Sequence, residues 1–261
     1  MKKVNFYIDG FNFYHPLDEY QKRKNLCLKW LDYKSLCSSF ILENEQIGNI
    51  YFFTAIRKDY KQNNPSKYER HKIYIKALQA QGIIVIEGRF LKKHRKIQCQ
   101  VSNCLNKENT KFDRTFDITI REEKRTDVSI ACYLIKDAFL NQFDKAFIFS
   151  ADTDLIPAIQ IVREYFDNKK TIVGSLQTWN WENNEFIFPK IEDLRKASNS
   201  ELLRIHFSKL KKHLLPESII GLDGKLIKIP KGYLSKEKIN QLEKEISLIP
   251  AQKEQVLRKY L

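Results

Sequence analysis

The chain has 261 residues, 43% hydrophobic and 12% aromatic, enough to bury a full core in one large domain or one domain plus an extension, and incompatible with a disordered or fibrous polypeptide. Forty-six Lys and Arg against 32 Asp and Glu give a formal charge of +14, which points to a polyanionic partner, nucleic acid or an acidic membrane surface, without fixing a fold. No apolar run approaches the roughly 20 residues of a bilayer crossing, so a soluble, unprocessed protein with no membrane partner is expected.

Short apolar strands alternate with amphipathic helices. Val4–Ile8 reads as a first strand closed by a turn at Asp9-Gly10, and Ile50–Thr54 as a second. A helix is predicted from about Ser66 to Gln81, where Ile73, Ala77 and Ala80 recur at helical spacing and Gly82 supplies the stop. Ile83–Ile86 makes strand three. Residues 89–123 break the rhythm and read as a β-hairpin-like insertion with a polar loop around 103–110. A helix then runs from Lys124 to Phe139, a fourth strand over Ala146–Phe149, a helix from Asp152 to Phe166 and a fifth strand over Thr171–Val173. The alternation predicts an α/β domain with a mainly parallel five-stranded sheet and helices on both faces. Beyond 207 the chain turns Lys-rich, with turns at Gly221, Gly224, Pro230 and Gly232 and a helix over Ser235–Ile246. The expected organisation is therefore a domain over 1–206 and a basic C-terminal extension over 207–261.

The five cysteines, Cys27, Cys37, Cys99, Cys104 and Cys132, are odd in number and scattered through a chain too large to need staples, which fits a reducing cytoplasm. Cys99 and Cys104 with His94 offer at most three of the four ligands that a structural zinc requires, so they read as reduced thiols.

In an open parallel sheet the reactive crevice lies beyond the carboxyl ends of the strands. Asp9 follows the first strand, Asp152 and Asp154 follow the fourth, and Asp127 stands in the first turn of the helix that feeds the fourth. Singly, each has an ordinary explanation as a helix-start or turn carboxylate. Gathered at one sheet edge, four such charges are costly without a cation to neutralise them. Hard oxygen ligands suit Mg²⁺ or Mn²⁺, which bind through a few carboxylates, waters and substrate phosphate oxygens, and the chemistry expected there is phosphodiester hydrolysis. A calcium loop is rejected because Asp152-Thr153-Asp154 lacks the Gly and Glu that such a loop places further on.

The runs Phe6-Tyr7-Ile8-Asp9-Gly10-Phe11-Asn12, Glu123-Lys124-Arg125-Thr126-Asp127-Val128 and Phe149-Ser150-Ala151-Asp152-Thr153-Asp154-Leu155 resemble, in order and spacing, the LabA-like branch of the NYN domains among the PIN-like nucleases. The resemblance covers roughly residues 1–175. It implies a three-layer α/β/α PIN-like (Rossmann-like) fold and a metal-dependent ribonuclease that leaves a 5′-phosphate and a 3′-hydroxyl. By the same resemblance Asp9, Asp127, Asp152 and Asp154 hold one or two divalent cations that activate a water, Asn12 positions a water or phosphate oxygen, and Ser150 and Thr153 support them. The sequence departs from the common pattern at Arg125, where a small residue is frequent, and at Ala151, where Gly is frequent; neither change removes a ligand.

Residues 57–96 carry 12 Lys and Arg against 3 acids, a net of +9, and residues 207–261 carry 12 against 6, a net of +6. Lys58, Lys61, Lys67 and Arg70 flank the carboxyl end of strand two and are candidate phosphate contacts, while Phe11, Phe13, Tyr14 and Tyr60 are candidates for stacking unpaired bases, with core packing as the competing role. The expected partner is RNA, single-stranded or tRNA-like, although phosphate contacts do not distinguish it from DNA. The tail is a surface for RNA or for a partner subunit, a second copy of the chain included. The alternative to a nuclease is a non-catalytic nucleic-acid or protein-binding module that has kept the fold.

Overall fold

A strand apolar on both faces belongs in the middle of a covered sheet, and the first run sits there. The computed structural model describes residues 1–98, 115–200, 202–234 and 236–247. In chain order its elements are β1 (Lys2–Asp9), α1 (Gly10–Lys24), α2 (Tyr33–Ser38), β2 (Glu45–Thr54), α3 (Tyr60–Asn63), α4 (Pro65–Ala80), β3 (Ile84–Glu87), β4 (Arg89–Gln98), β5 (Thr115–Lys124), α5 (Thr126–Phe139) and β6 (Lys145–Phe149). There follow α6 (Ile156–Tyr165), β7 (Lys170–Leu176), β8 (Thr178–Asn180), β9 (Glu185–Ile187), α7 (Glu192–Ser198), β10 (Leu203–Ile205), α8 (Phe207–Leu210), β11 (Ser218–Ile220), β12 (Leu226–Lys228) and α9 (Lys236–Ser247).

The central sheet has the order β10-β7-β6-β1-β2-β3, and all its pairs are parallel. Alternate residues of its middle strands feed two separate cores. Val4, Phe6 and Ile8 of β1, Ile50 and Phe52 of β2, and Phe147 and Phe149 of β6 face one side, where Phe13 and Leu17 of α1, Leu36 of α2 and Leu78 of α4 cover them. Tyr7, Tyr51, Phe53, Ala146 and Ile148 face the other, under Ile130 and Leu134 of α5, Ile159 and Val162 of α6 and Leu194 of α7. This is a three-layer α/β/α fold.

The sheet has six strands where five were expected. The sixth, β10, has only three residues with a charged one in the middle, too short to show a period. The expected turn at Asp9-Gly10 is instead the start of α1: the Asp9 carboxylate accepts the amide hydrogens of Phe11 and Asn12 and caps the helix. The helix expected from Asp152 opens as a 3₁₀ turn over Thr153–Leu155 before α6, with Pro157 in the first turn of α6. The insertion is an antiparallel ribbon, β4 on β5, registered from Arg89↔Lys124 to Gln98↔Thr115. Its expected polar loop, with Cys99 and Cys104, lies outside the described residues; His94 pairs with the Thr119 hydroxyl at 3.1 Å. The stretch after 206 joins the main core, where Phe207, Leu210, Leu215 and Tyr233 are buried and the Trp30 indole donates to the Pro216 carbonyl. Among the described residues no helix is long and apolar enough to cross a membrane.

Candidate active site

Two strand ends and one helix start bring carboxylates to the same edge of the sheet. Asp9, the last residue of β1, is 2% exposed, and both its oxygens are engaged. Oδ1 accepts from the Phe11 and Asn12 amides at 3.0 and 3.1 Å, and Oδ2 accepts from the Asn12 side-chain amide at 2.5 Å and the Ser150 hydroxyl at 3.0 Å. The Asn12 carbonyl oxygen accepts the Ala151 amide hydrogen at 3.2 Å, so Asn12 ties the end of β1 to the loop after β6. In that loop the Asp152 amide donates to Ser150 Oγ at 3.1 Å, and the Asp152 carboxylate caps the Asp154 amide at 2.9 Å. Asp152 is half-buried, whereas Thr153 and Asp154 are exposed.

Backbone shape fixes the surroundings. A Cβ on Gly10 would come within 2.7 Å of the Phe52 ring and of the Phe53 carbonyl, so only glycine lets α1 start this close to β2. Arg125, which leads into α5, has φ 81°, the left-handed region that favours glycine. That is a physical reason for the small residue frequent at this position of the motif.

Asp127 lies in the electrostatic field of the other three aspartates. Asp127 has exposed surface, yet its carboxyl is raised to about 6, first by loss of water around it and then by the charges of Asp152, Asp9 and Asp154. Burial raises Asp9, opposed by the hydrogen bonds from Asn12, Ser150 and Phe11. A fifth carboxylate, Glu123 of β5, belongs to the same field. Burial lifts it to about 7, against a hydrogen bond from the Thr126 hydroxyl and with help from Asp9 and Asp127. Sequence reading passed over Glu123 as part of the ribbon. The signal lay in its place four residues before Asp127, across the sharp turn at Arg125.

Among the described residues no three His, Cys, Asp or Glu side chains are grouped tightly enough to enclose an ion. The donor chemistry still suits Mg²⁺ or Mn²⁺: the donors are hard oxygens of like charge, and such ions bind through one or two carboxylates with waters completing the shell.

Beside the carboxylates lies a cavity of about 410 Å³ between α1, the end of β2, α4 and the base of the ribbon. Of the four predicted phosphate contacts, Lys67 and Arg70 line it; Lys58 and Lys61 are exposed outside it. Phe11, Tyr14 and Tyr60 line it as well. Phe13 does not: it is 1% exposed and packs on Tyr33 and Phe149, so the stacking role considered for it is excluded. Sequence reading also missed Arg57, Phe90 and Arg121 in the cavity wall, because the ribbon's pairing brings the last two in from far along the chain.

Comparison with known proteins places these features. The chain is 26% identical over 237 residues, 84% of its length and 72% of the relative's, to the 6-hydroxy-3-succinoylpyridine 3-monooxygenase HspA of Pseudomonas putida. A crystal structure of a protein of unknown function from Vibrio parahaemolyticus superposes with a TM-score of 0.44 at 16% identity, over 82% of this chain and 96% of that one. Residues 3–187 match the NYN domain, and the motif carboxylates just described fall inside that span: the chain belongs to the NYN domain family of the PIN-like superfamily.

Proposed function

We propose that the protein is a divalent-metal-dependent ribonuclease that hydrolyses phosphodiester bonds of RNA, single-stranded or tRNA-like, with Asp9, Asp127, Asp152 and Asp154 as the ion's ligands. The observation that carries this reading is the Asp127 carboxyl, raised to about 6 in part by three other aspartates at the carboxyl edge of a parallel sheet. A bound Mg²⁺ or Mn²⁺ supplies Lewis-acid polarisation of the phosphate and acidifies a water. The chain's own residues do the positioning. Asp9 is held by four hydrogen bonds, and Asn12 and Ser150 lock the loop carrying Asp152 against it. Lys58, Lys61, Lys67 and Arg70 draw in the RNA backbone. The test is end-labelled single-stranded RNA incubated with the protein in Mn²⁺ or in EDTA. Shortening in Mn²⁺, absent in EDTA and lost in a folded Asp152→Asn variant, supports the reading; a gel shift without shortening in Mn²⁺ makes the protein a binding module.

The cavity favours a second reading. A pocket walled by aromatic rings and cations also suits an anionic heteroaromatic molecule, and the Pseudomonas putida relative is named as a 3-monooxygenase of 6-hydroxy-3-succinoylpyridine. Turnover of such a compound by a protein that leaves RNA intact in Mn²⁺ would decide for it.

A further inference from the structure

The cavity shares a wall with the carboxylate edge but has its own chemistry. Gly10 and Phe11, which line it, directly follow Asp9, and Glu123, also in its lining, pairs with Phe90 across the ribbon and accepts the Thr126 hydroxyl beside Asp127. We propose that this cavity is a nucleotide pocket, holding one unstacked base of the RNA against the rings of Phe11, Tyr14, Tyr60 and Phe90, with the attached phosphate on Lys67 and Arg70. It rests on the ribonuclease reading for its substrate and adds that the strand must be unpaired, one base turned out, where it meets the aspartates.

Three observations carry the inference. The first is burial. The four rings are only half-buried and stand in the cavity wall, whereas Phe13 of the same helix as Phe11 and Tyr14 is sealed in the core at 1% exposure; rings left at a cavity wall offer π-faces that a core ring does not. The second is the cation count. Arg57 and Arg121 share one acid, Asp59, at 2.9 and 2.7 Å. Lys67 meets the Tyr14 and Tyr60 rings, at 5.6 and 5.1 Å from their centroids, and Arg70 meets the Ser66 hydroxyl at 3.3 Å; neither has an ion pair among the described residues. Positive charge beside aromatic walls selects a planar group that carries an anion. The third is size. About 410 Å³ lies near the lower end of the ~300–1,000 Å³ typical of ligand pockets, room for one nucleotide and not for a stacked or paired run.

The experiment uses the full chain in EDTA, where nothing is cut, and a single-stranded oligoribonucleotide carrying one 2-aminopurine, whose fluorescence reports stacking on a ring. Expected is a saturable fluorescence change. Affinity should fall about 10- to 100-fold in Tyr14→Ala and Phe90→Ala, while Tyr14→Phe, which keeps the ring, binds like the parent. Melting temperatures of all three variants identify any that fail to fold, and Lys67→Gln on α4 then serves as the independent probe, with weaker binding and a shallower salt dependence. Oligonucleotide binding without a 2-aminopurine response, or Ala variants that fold and bind like the parent, overturns the pocket. So does saturable binding of a hydroxypyridine carboxylate by a protein that ignores the oligonucleotide. Cleavage in Mn²⁺ is scored separately: a fluorescence response without cleavage leaves the pocket and removes the nuclease, and cleavage without the response does the reverse.

Discussion

Replacing Asp127 by Asn should make the ion-free protein more stable and the Mn²⁺-loaded protein less so. The native carboxyl is raised from 3.8 to about 6 by loss of water and the charges of Asp152, Asp9 and Asp154. Unscreened, that rise amounts to about 3 kcal/mol. Asp127 has exposed surface, so water and salt should reduce the penalty to about 1 kcal/mol, or ~2 °C in melting temperature for a chain of this size. The sign follows from proton binding. The folded carboxyl holds its proton more tightly than the unfolded one, so this group's contribution to stability falls as pH rises from about 4 to about 6. In EDTA the variant's advantage should therefore be absent below about pH 4, grow through that window and be complete above about pH 6. Saturating Mn²⁺, at about 100 times its dissociation constant, should raise the parent by about 2.7 kcal/mol and the variant by much less. Thermal unfolding followed by circular dichroism across this pH range reads both effects. A variant no more stable than the parent at about pH 8 in EDTA, or an advantage independent of pH, would refute the picture of Asp127 as a desolvated carboxylate repelled by three others.

Arg125→Gly should stabilise the protein by about 0.5–1 kcal/mol, because the left-handed backbone at φ 81° is free to glycine and costly to arginine; chemical denaturation at about pH 7 measures it. Phe207→Ala should cost about 3–5 kcal/mol and lower the single melting transition of the whole chain, since the ring is stacked on Tyr20 at 4.2 Å inside the main core; a separate early transition would instead make the region after 206 an independent unit. Gly10→Ala should destabilise by about 1–3 kcal/mol through contact with Phe52 and the Phe53 carbonyl, seen as a lower denaturant midpoint at unchanged slope. Lys58→Ala and Lys61→Ala should each reduce the slope of log affinity against log salt by about 0.7 for single-stranded RNA, and a slope equal to the parent's would remove these lysines from the binding surface.

The strands that lead to the aspartates were legible because each is a short, doubly buried apolar run with a carboxylate at its end, as in β1, or three residues beyond it, as in β6, a pattern that survives without any partner in view. Helix α1 was not. Asp9-Gly10 reads locally as a turn, Pro16 sits inside the helix, and its core face consists of little more than Phe13 and Leu17. With the helix unseen, its aromatic residues could not be sorted by face. Helical spacing puts Phe13 and Leu17 in the core and turns Phe11 and Tyr14 toward the cavity, and without the helix in view the three aromatics read alike. Glu123, Arg121 and Phe90 were illegible for another reason: they reach the site only because β4 and β5 fold back on each other, and that pairing depends on contacts no local window contains. The chain after 206 read as an appendage because lysines dominate its composition, while the few residues that bind it to the body, Phe207, Leu210, Leu215 and Tyr233, are widely spaced.

The position of β1 bears on how the site comes into being. Its end is flanked on one side by β2 and on the other by β6, and the hydroxyl that steadies Asp9 from the β6 side belongs to a residue 141 positions later in the chain. As the polypeptide is synthesised, β1 exists long before the strand that completes its surroundings, so its apolar faces and its carboxylate must wait for a distant segment. Local order in either half alone assembles nothing that resembles the four-aspartate edge. Assembly of the candidate site is thus tied to closure of the whole sheet, and a nascent or partly unfolded chain, though rich in positive charge, lacks the carboxylate edge.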